Sequence, residues 1–287
     1  MKFNEKNLVM QSVQGVIAHP KAGASPYRVD REGMGNILPA TGGITYNVSI
    51  GDPAFGWAGD HIEPGVSMKI VDNNQGAENM GLATLACIGN RAKVVSGKAE
   101  GAEGFVTGTH GGIDHVLIYF EAEELEKMKI GDEILIKAYG QGIKIRDYPE
   151  IKVFNIDPTL LKKLNIKEED GKLKIGVAAE IPGEIMGSGI GSSSVGRGDY
   201  DITTGDTELI RELEIDKLRL GDIVYLKDCD NTYGREFKRG AGSIGVVIHS
   251  DCIKMGHGPG VTTLFTAKNN LIETFIDKEA NLINYFD

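Results

Sequence analysis

Two stretches of the chain, Met128-Lys-Ile-Gly-Asp-Glu-Ile-Leu-Ile136 and Leu218-Arg-Leu-Gly-Asp-Ile-Val-Tyr-Leu226, repeat one pattern. In each, a basic residue between apolar ones is followed by a Gly-Asp pair and a short apolar run. Glycine can take the positive φ that a tight turn requires, and aspartate can accept hydrogen bonds from turn amides. The pattern predicts two turns that lead into buried strands of two related barrel-like modules. The alternative is a chance match in a chain rich in turns.

The glycine content agrees with a chain of many strands and turns. Glycine accounts for 39 of the 287 residues, about twice the average frequency, and the glycines lie among Val/Ile-rich runs without a fixed period. We predict an α+β, β-dominated fold with two barrel-like β modules and few short helices. The predicted domains are an N-terminal β-rich domain, 1–135, and a C-terminal β-barrel-like domain, 136–287.

Local patterns predict where the helices and strands lie. Residues 121–129 contain good helix formers, and Asp157 can cap a helix that begins at Pro158. Weaker helical patterns at 207–213 and 271–276 fit a strand equally well. Strands are predicted at 116–120, 133–138, 172–177, 223–227, 243–249 and 261–266.

Charge and cysteine content limit the possible partners and compartment. The net charge is -10, and no Lys/Arg block is interleaved with aromatic residues, which disfavours nucleic acids and anionic membranes as partners. Three cysteines without a C-x-x-C motif fit a reducing compartment. The chain has neither an uninterrupted apolar run of ~18 residues nor the pattern of a signal peptide. We expect a cytoplasmic protein that binds a small molecule and forms a homo-oligomer.

The stretch Thr107-Gly-Thr-His110-Gly-Gly-Ile-Asp-His115 places two histidines beside two glycines, just before a predicted strand. The histidines are five residues apart. They can share a metal ion only if the Gly-Gly turn folds one imidazole back toward the other. A structural turn with two satisfied histidines is the alternative interpretation.

A second candidate segment follows the predicted strand 243–249. His249 and Asp251 would face the same side if the strand continued, and His257 lies in a Gly-His-Gly-Pro-Gly turn that lets a ligand approach the backbone. These three residues are the predicted catalytic group, as an open metal site or an acid/base pair. Together with His110 and His115 they form the predicted ligand set for zinc or manganese. The alternative is a polar strand end followed by a rigid loop.

A third segment, residues 185–201, contains five glycines, four serines and an arginine. Backbone amides in such a loop can form an anion-binding nest, and the predicted ligand-binding residues are Gly189, Gly191, Ser192 and Arg197. A flexible surface loop is the alternative. Asp199 and Asp201 could hold a cation or orient a histidine, although an acidic turn explains them more simply. The loop 59–65, with a His and a Glu, is also interpreted as a turn.

Long stretches of the chain resemble an uncharacterised bacterial and archaeal family. They include VTGTHGGIDHV (106–116), KIGDEILIKAYGQGIKI (129–145) and GSIGVVIHSDCIKMGHGPGVTTL (242–264). The family is domain of unknown function four-four-three-eight, which is divided into N-terminal and C-terminal halves. This resemblance implies a fold but no activity.

The second half also resembles acetamidase/formamidase enzymes more faintly, in the order of Arg197-Gly-Asp-Tyr-Asp201, 221–226, Ile248-His-Ser-Asp251 and the turn at 256–260. Those enzymes have a glutamate in the turn, and this chain has none there. The departure puts amide hydrolysis in doubt even if the fold is shared.

Three functional hypotheses follow from the sequence. The first is a metal-assisted hydrolase acting on a small polar, amide-like molecule. The second is a non-enzymatic small-ligand-binding or self-assembling β protein. The third is a hydrolase that uses Cys252 as its nucleophile, although a cysteine is more often buried and inert.

Overall fold

The computed structural model describes residues 1–22, 25, 27–70 and 76–286, in which β-strand is the main regular secondary structure. The α-helices are α1 (Ala77–Leu85), α2 (Ala122–Leu125), α3 (Pro158–Lys163) and α4 (Thr207–Glu212). The strands are β1 (Gln11–Ile17), β2 (Arg28–Val29), β3 (Gly35–Asn36), β4 (Ile44–Thr45), β5 (Gly65–Lys69), β6 (Arg91–Val94), β7 (Glu103–His110), β8 (His115–Tyr119), β9 (Glu133–Ala138), β10 (Lys152–Val153), β11 (Ile166–Glu169), β12 (Lys172–Val177), β13 (Ala179–Ile181), β14 (Tyr200–Asp201), β15 (Ile223–Asp230), β16 (Glu236–His249), β17 (Gly260–Ala267) and β18 (Ile272–Ile276).

The first half of the chain forms a closed antiparallel barrel of six strands. The strand order is β1-β9-β6-β7-β8-β5, and β5 pairs back to β1, which closes the barrel. The short strand β4 adds to β5 outside this ring. Apolar side chains such as Val66, Val106, Ile118 and Ile134 fill the interior and are almost fully buried. Closure removes the unpaired edges that an open sheet would expose.

The second half is built on a sheet with the strand order β10-β17-β16-β15-β13, and β14 pairs with one end of β17. A smaller sheet, β11-β12-β18, lies beside it in the chain. The pairings of the described residues do not close the larger sheet, so a second barrel is not shown. The β-dominated fold with few short helices is confirmed, with one closed barrel.

Both Gly-Asp turns have the predicted geometry. Gly131 and Gly221 have φ values of 90° and 87°. The carboxylate of Asp132 accepts a hydrogen bond from the Lys129 amide, and the carboxylate of Asp222 accepts one from Arg219. Strands β9 and β15 begin directly after these turns. The repeated sequence pattern therefore encodes a repeated local structure.

The predicted helices are present but shorter than expected. Asp157 caps α3 by accepting a hydrogen bond from the Thr159 amide, and Pro158 occupies its first turn. Residues 207–212 form α4, whereas 272–276 form a strand.

The predicted boundary at 135 lies inside β9, and the division into domains stays a prediction. Among the described helices, none has the length and apolar character that a membrane span requires.

Candidate metal and ligand site

The loop that joins β4 to β5 carries the side chains of Asp60, His61 and Glu63 into the interior. It docks against the end of β16, where the Ile62 amide donates to the Ser250 hydroxyl (2.8 Å) and the Ser250 amide donates to the Ile62 carbonyl (3.0 Å). His61 adopts a left-handed backbone conformation with φ 52°, which is uncommon outside glycine. This turn directs His61 toward the second half of the molecule and Glu63 toward the β7–β8 hairpin of the barrel.

Glu63 is almost fully buried between two histidines of the β7–β8 hairpin. His110 ends β7 and His115 begins β8, and the two residues are direct partners across the hairpin. Nδ1 of His110 donates to one carboxylate oxygen of Glu63 (2.5 Å), and Nδ1 of His115 donates to the other (2.9 Å). The Ser67 hydroxyl also donates to this carboxylate. His110 and His115 therefore share a carboxylate.

The charge state of Glu63 follows from these contacts. Burial raises the pKa of its carboxyl, but the hydrogen bonds from His110 and His115 outweigh burial and hold the pKa well below its usual range. Glu63 is therefore an ionised acceptor. Since it accepts from Nδ1 of His110, the other ring nitrogen of His110, Nε2, is left for a ligand.

The second half of the site lies where β14, β17 and β16 run side by side. Asp201 pairs with Gly260, and Gly260 pairs with His249. A Cβ atom on Gly260 would lie 2.0 Å from Oδ2 of Asp199 and 2.2 Å from Nε2 of His249. The missing side chain at position 260 thus leaves room for the carboxylate of Asp199 to approach the imidazole of His249.

His249 is completely buried and its two ring nitrogens have opposite surroundings. Nδ1 donates to the Ser250 carbonyl (2.8 Å). Nε2 faces Oδ2 of Asp199 at 2.9 Å and Oδ1 of Asp201 at 3.6 Å. Nevertheless Nε2 of His249 and Oδ2 of Asp199 are both buried without a hydrogen-bond partner, because the two atoms are close but poorly aligned. Donor atoms that converge in this way are suited to a cation between them.

Electrostatics at His249 favour positive charge. Burial lowers the pKa of its imidazole, but the carboxylates of Asp199 and Asp201 outweigh burial and raise the pKa well above its ordinary value. A proton or a metal cation at Nε2 satisfies the same two carboxylates.

His61 and His257 meet on the other side of Asp201. Nδ1 of His61 lies 3.0 Å from the carboxylate of Asp60, and its Nε2 lies 3.3 Å from Nδ1 of His257. Oδ2 of Asp201 is 2.7 Å from Nδ1 of His257 and 3.6 Å from Nε2 of His61. The two oxygens of Asp201 therefore face different histidines, with Oδ1 toward His249 and Oδ2 toward His257.

Three histidines from distant parts of the chain converge on one point, and we call His61, His110 and His249 the histidine cluster. One potential ligand atom from each lies within 4.8 Å of the others. Asp199, Asp201 and His249 form a second group by the same measure, and His61, Cys252 and His257 form a third. The structure therefore contains buried His and Asp groups that could hold a metal ion.

Two members of the histidine cluster, His61 and His110, line a cavity of about 570 Å³, a size suited to a small molecule; the third, His249, is fully buried. Its walls combine the end of the β7–β8 hairpin with the Gly/Ser-rich loop before β14. Arg197 donates to the carboxylate of Asp114 (3.0 Å) and so ties the loop to the hairpin. The residues that line it include His110, His257, Ser188, Ser192, Arg197 and Arg235.

The structure assigns different surroundings to the residues predicted from sequence. The rings of His110 and His249 lie 4.4 Å apart. His110 and His257 line the cavity together with Gly189, Ser192 and Arg197. Gly191 is not among the lining residues; its amide donates to the Arg235 carbonyl (2.8 Å). Two other side chains point elsewhere: His115 contacts Glu63, and Asp251 accepts from the Thr204 hydroxyl (2.7 Å) outside the cavity.

Cys252 is buried below the loop that carries His61. Its thiol contacts the carboxylate of Asp60 at 2.7 Å. Burial and the neighbouring Asp60 raise the pKa of the Cys252 thiol, which keeps it protonated near neutral pH. This environment is the opposite of the electropositive surroundings that activate a cysteine nucleophile.

Sequence reasoning gave too little weight to four residues of the site: His61, Glu63, Asp199 and Asp201. The segment Asp60-His-Ile-Glu63 was interpreted as a turn, and it is a turn, but one whose side chains point inward. The available signal was the density of ionisable residues beside glycines, the same signal that selected 107–115. For Asp199 and Asp201 the sequence allows a cation ligand or a partner of a histidine, but an acidic turn is the simpler explanation.

Family models match nearly the whole chain in two consecutive parts. The N-terminal part of "Domain of unknown function (DUF4438)" matches residues 27–162, and the C-terminal part matches residues 163–286. The chain belongs to the DUF4438 family. The resemblance noted from sequence is thereby confirmed, including its division into two halves.

A solved structure has the same fold as this DUF4438 protein. The crystal structure of TM1086 is 49% identical in sequence, with a TM-score of 0.94, and the match covers 100% of this chain and 99% of that chain. A search of curated proteins finds no match. The fainter resemblance to acetamidase/formamidase enzymes is not shown by these comparisons.

Proposed function

We propose that this DUF4438 protein is a metal-dependent hydrolase that acts on a small polar molecule such as an amide, with zinc or manganese at the histidine cluster. The hydrogen-bond partners of the three histidines are the main support for a metal site. Nδ1 of His61, His110 and His249 each faces a fixed acceptor, namely Asp60, Glu63 and the Ser250 carbonyl. Nε2 of each ring is therefore left with a lone pair, and one ring nitrogen of each histidine lies within 4.8 Å of the others.

This arrangement matches what metal-binding histidines require. A histidine ligand usually donates its second ring N–H to a carboxylate or a backbone carbonyl, which fixes the ring and its tautomer. All three members of the histidine cluster have such a partner. Nitrogen and carboxylate ligands suit zinc and manganese, and catalytic zinc sites have three protein ligands and an open position.

Protonation alone accounts less well for the same geometry. The imidazole rings of His61, His110 and His249 have centroids 4.4–5.6 Å apart. Three imidazolium ions at these distances would repel one another in a buried site. A single divalent cation would instead be held by these histidines, and the carboxylates of Asp199 and Asp201, which form a second group with His249, would balance its charge.

The remaining residues supply the groups that amide hydrolysis needs. A divalent metal polarises a carbonyl and activates water. In the overall reaction the water oxygen bonds to the carbonyl carbon, the carbon–nitrogen bond breaks, and the departing nitrogen takes a proton. His257 is 29% exposed and lies against Asp201, so it can exchange protons with solvent and deliver one to the departing nitrogen.

Metal content tests the site directly. Protein purified without chelators or a histidine tag is expected to contain near-stoichiometric zinc or manganese by inductively coupled plasma mass spectrometry. The His249→Ala variant should lose this metal because it removes a central ligand. His19→Ala is the matched control, since His19 is exposed and should leave metal content unchanged. Wild-type protein that is folded and metal-free would overturn the metal site.

Hydrolysis requires a separate measurement. Release of ammonia or amine from a panel of small amides should be abolished by a chelator and restored by the metal found in the purified protein. A metal-loaded protein that cleaves none of them would contradict the hydrolase and leave the metal site standing. The cytoplasmic location and the homo-oligomer stay predictions.

A further inference from the structure

A buried arginine in the cavity wall has no strong partner of its own. Arg235 is 4% exposed and lies just before β16. Its Nε is buried without a hydrogen-bond partner. The contacts described for its guanidinium are a long bond to the Arg197 carbonyl (3.4 Å) and the face of the Tyr200 ring, 5.7 Å away. Within the described residues no carboxylate lies within ion-pair distance of it.

The position of Arg235 is fixed by the Gly/Ser-rich loop. The Gly191 amide donates to the Arg235 carbonyl (2.8 Å), and the Arg235 amide donates to the Ser192 carbonyl (3.0 Å). A Cβ on Gly234 would lie 2.9 Å from the Ser192 carbonyl oxygen. The loop and the arginine therefore form one rigid wall of the cavity rather than a flexible surface segment.

A buried guanidinium without an ion pair is costly because burial removes its hydration, and buried charges are therefore usually paired. The protein has an excess of carboxylates, with a net charge of -10, yet none of the described ones forms an ion pair with Arg235. Burial lowers the pKa of Arg235 and outweighs the opposite effect of the carboxylates of Asp199 and Asp201, neither of which is within ion-pair distance.

The other arginine in the wall, Arg197, is already paired with Asp114. Among the described lining residues, Arg235 is therefore the buried cation that has no ion pair; Lys254 also lines the cavity without one, but it is exposed to solvent. Ser188 and Ser192 line the same cavity.

We propose that the cavity binds the carboxylate of its substrate, with Arg235 as the partner of that carboxylate. The inference rests on the proposed function only for the position of the reacting bond, which would lie between Arg235 and the histidine cluster. A monoanion matches the single unpaired guanidinium, and guanidinium binds carboxylate through two parallel hydrogen bonds. The substrate class is a small molecule with a carboxylate at one end and the hydrolysable bond at the other.

Acetate serves as the probe for this site. We expect the proton signal of acetate to broaden in the presence of the wild-type protein, both as purified and after metal removal, because Arg235 does not depend on the metal. The Arg235→Gln variant should weaken acetate binding by about 10- to 100-fold. Arg235→Lys retains the charge and should bind with intermediate affinity. The matched control is Arg91→Gln, whose exposed side chain pairs with Glu103.

Each outcome decides the proposal. Absence of acetate binding to folded wild-type protein would overturn it, whatever the variants do. Binding that Arg235→Gln leaves unchanged, with an unaltered circular dichroism spectrum, would also overturn it. Inorganic phosphate, followed by phosphorus line width, must bind more weakly than acetate, and the reverse order would contradict a carboxylate. A protein that binds acetate through Arg235 but contains no metal would support this inference and reject the metal centre.

Discussion

The site has a barrel side, formed by Glu63 with His110 and His115, and a sheet side, formed by His249 with Asp199 and Asp201. The two sides distribute charge in opposite ways. On the barrel side, one carboxylate, Glu63, accepts hydrogen bonds from two histidines. On the sheet side, one histidine, His249, faces the two carboxylates of Asp199 and Asp201. Each side has one buried imidazole nitrogen without a hydrogen-bond partner, Nε2 of His115 on the barrel side and Nε2 of His249 on the sheet side. Only the sheet side also has carboxylate oxygens without a hydrogen-bond partner, Oδ2 of Asp199 and Oδ2 of Asp201, whereas both oxygens of Glu63 accept hydrogen bonds. The comparison indicates that the barrel side orients a ligand and the sheet side attracts the cation.

The largest effect is expected on the sheet side. Asp199→Asn keeps the size of the side chain and removes its charge, so metal affinity should fall by more than about 100-fold, beyond the loss usual for an outer-shell residue. Competition with a chelator of known affinity measures it. Asp251→Asn is the matched control, since Asp251 contacts Thr204 outside the cavity. If both variants lost metal affinity equally, Asp199 would not bind the metal any more directly than Asp251 does.

A smaller effect is expected on the barrel side. Glu63→Gln offers one acceptor oxygen where two histidines now donate, so the ring of His110 should lose its fixed orientation. Metal affinity should fall by about 10- to 100-fold, measured by the same competition. The control Glu103→Gln changes an exposed glutamate. A loss as large as that of Asp199→Asn would show that both sides bind the cation directly.

The smallest effect is expected at Cys252, which is not a member of the histidine cluster and whose thiol donates to Asp60. Cys252→Ala removes one hydrogen bond to Asp60, while Arg28 still pairs with that carboxylate. Metal affinity should change by no more than about threefold, in keeping with a single hydrogen bond. Slow labelling by iodoacetamide at neutral pH should accompany this result. Rapid labelling of Cys252 together with a lost activity would instead favour a cysteine nucleophile.

Local structure could be predicted from the sequence because its causes are local. The Gly-Asp turns at 131–132 and 221–222 and the cap of α3 by Asp157 each depend on a few neighbouring residues. The turn motif predicted a barrel-like module in the first half, but it could not predict which strands close the barrel. Closure depends on β1 pairing with both β5 and β9, which lie far away in the chain. One barrel and one open sheet follow from the same turn motif.

The site was predicted in part for the same reason. The glycine-flanked histidines His110, His249 and His257 were selected by composition, and the structure brings them together. Asp251 was chosen on the assumption that the strand continues beyond His249. Strand β16 ends at His249, so the alternation of side chains stops there and Asp251 turns away. The carboxylates that face His249 come from β14 and the residues just before it, a pairing that no local pattern encodes.

The donor atoms of the histidine cluster come from both matched halves of the chain. His61 and His110 belong to the N-terminal part and His249 to the C-terminal part. A cation held among them would act as a cross-link between the halves and would bind only after both have folded and docked. Ligands that bind only the native state raise its stability with their concentration. The melting temperature should therefore depend on free metal concentration, and neither half expressed alone should retain the ion.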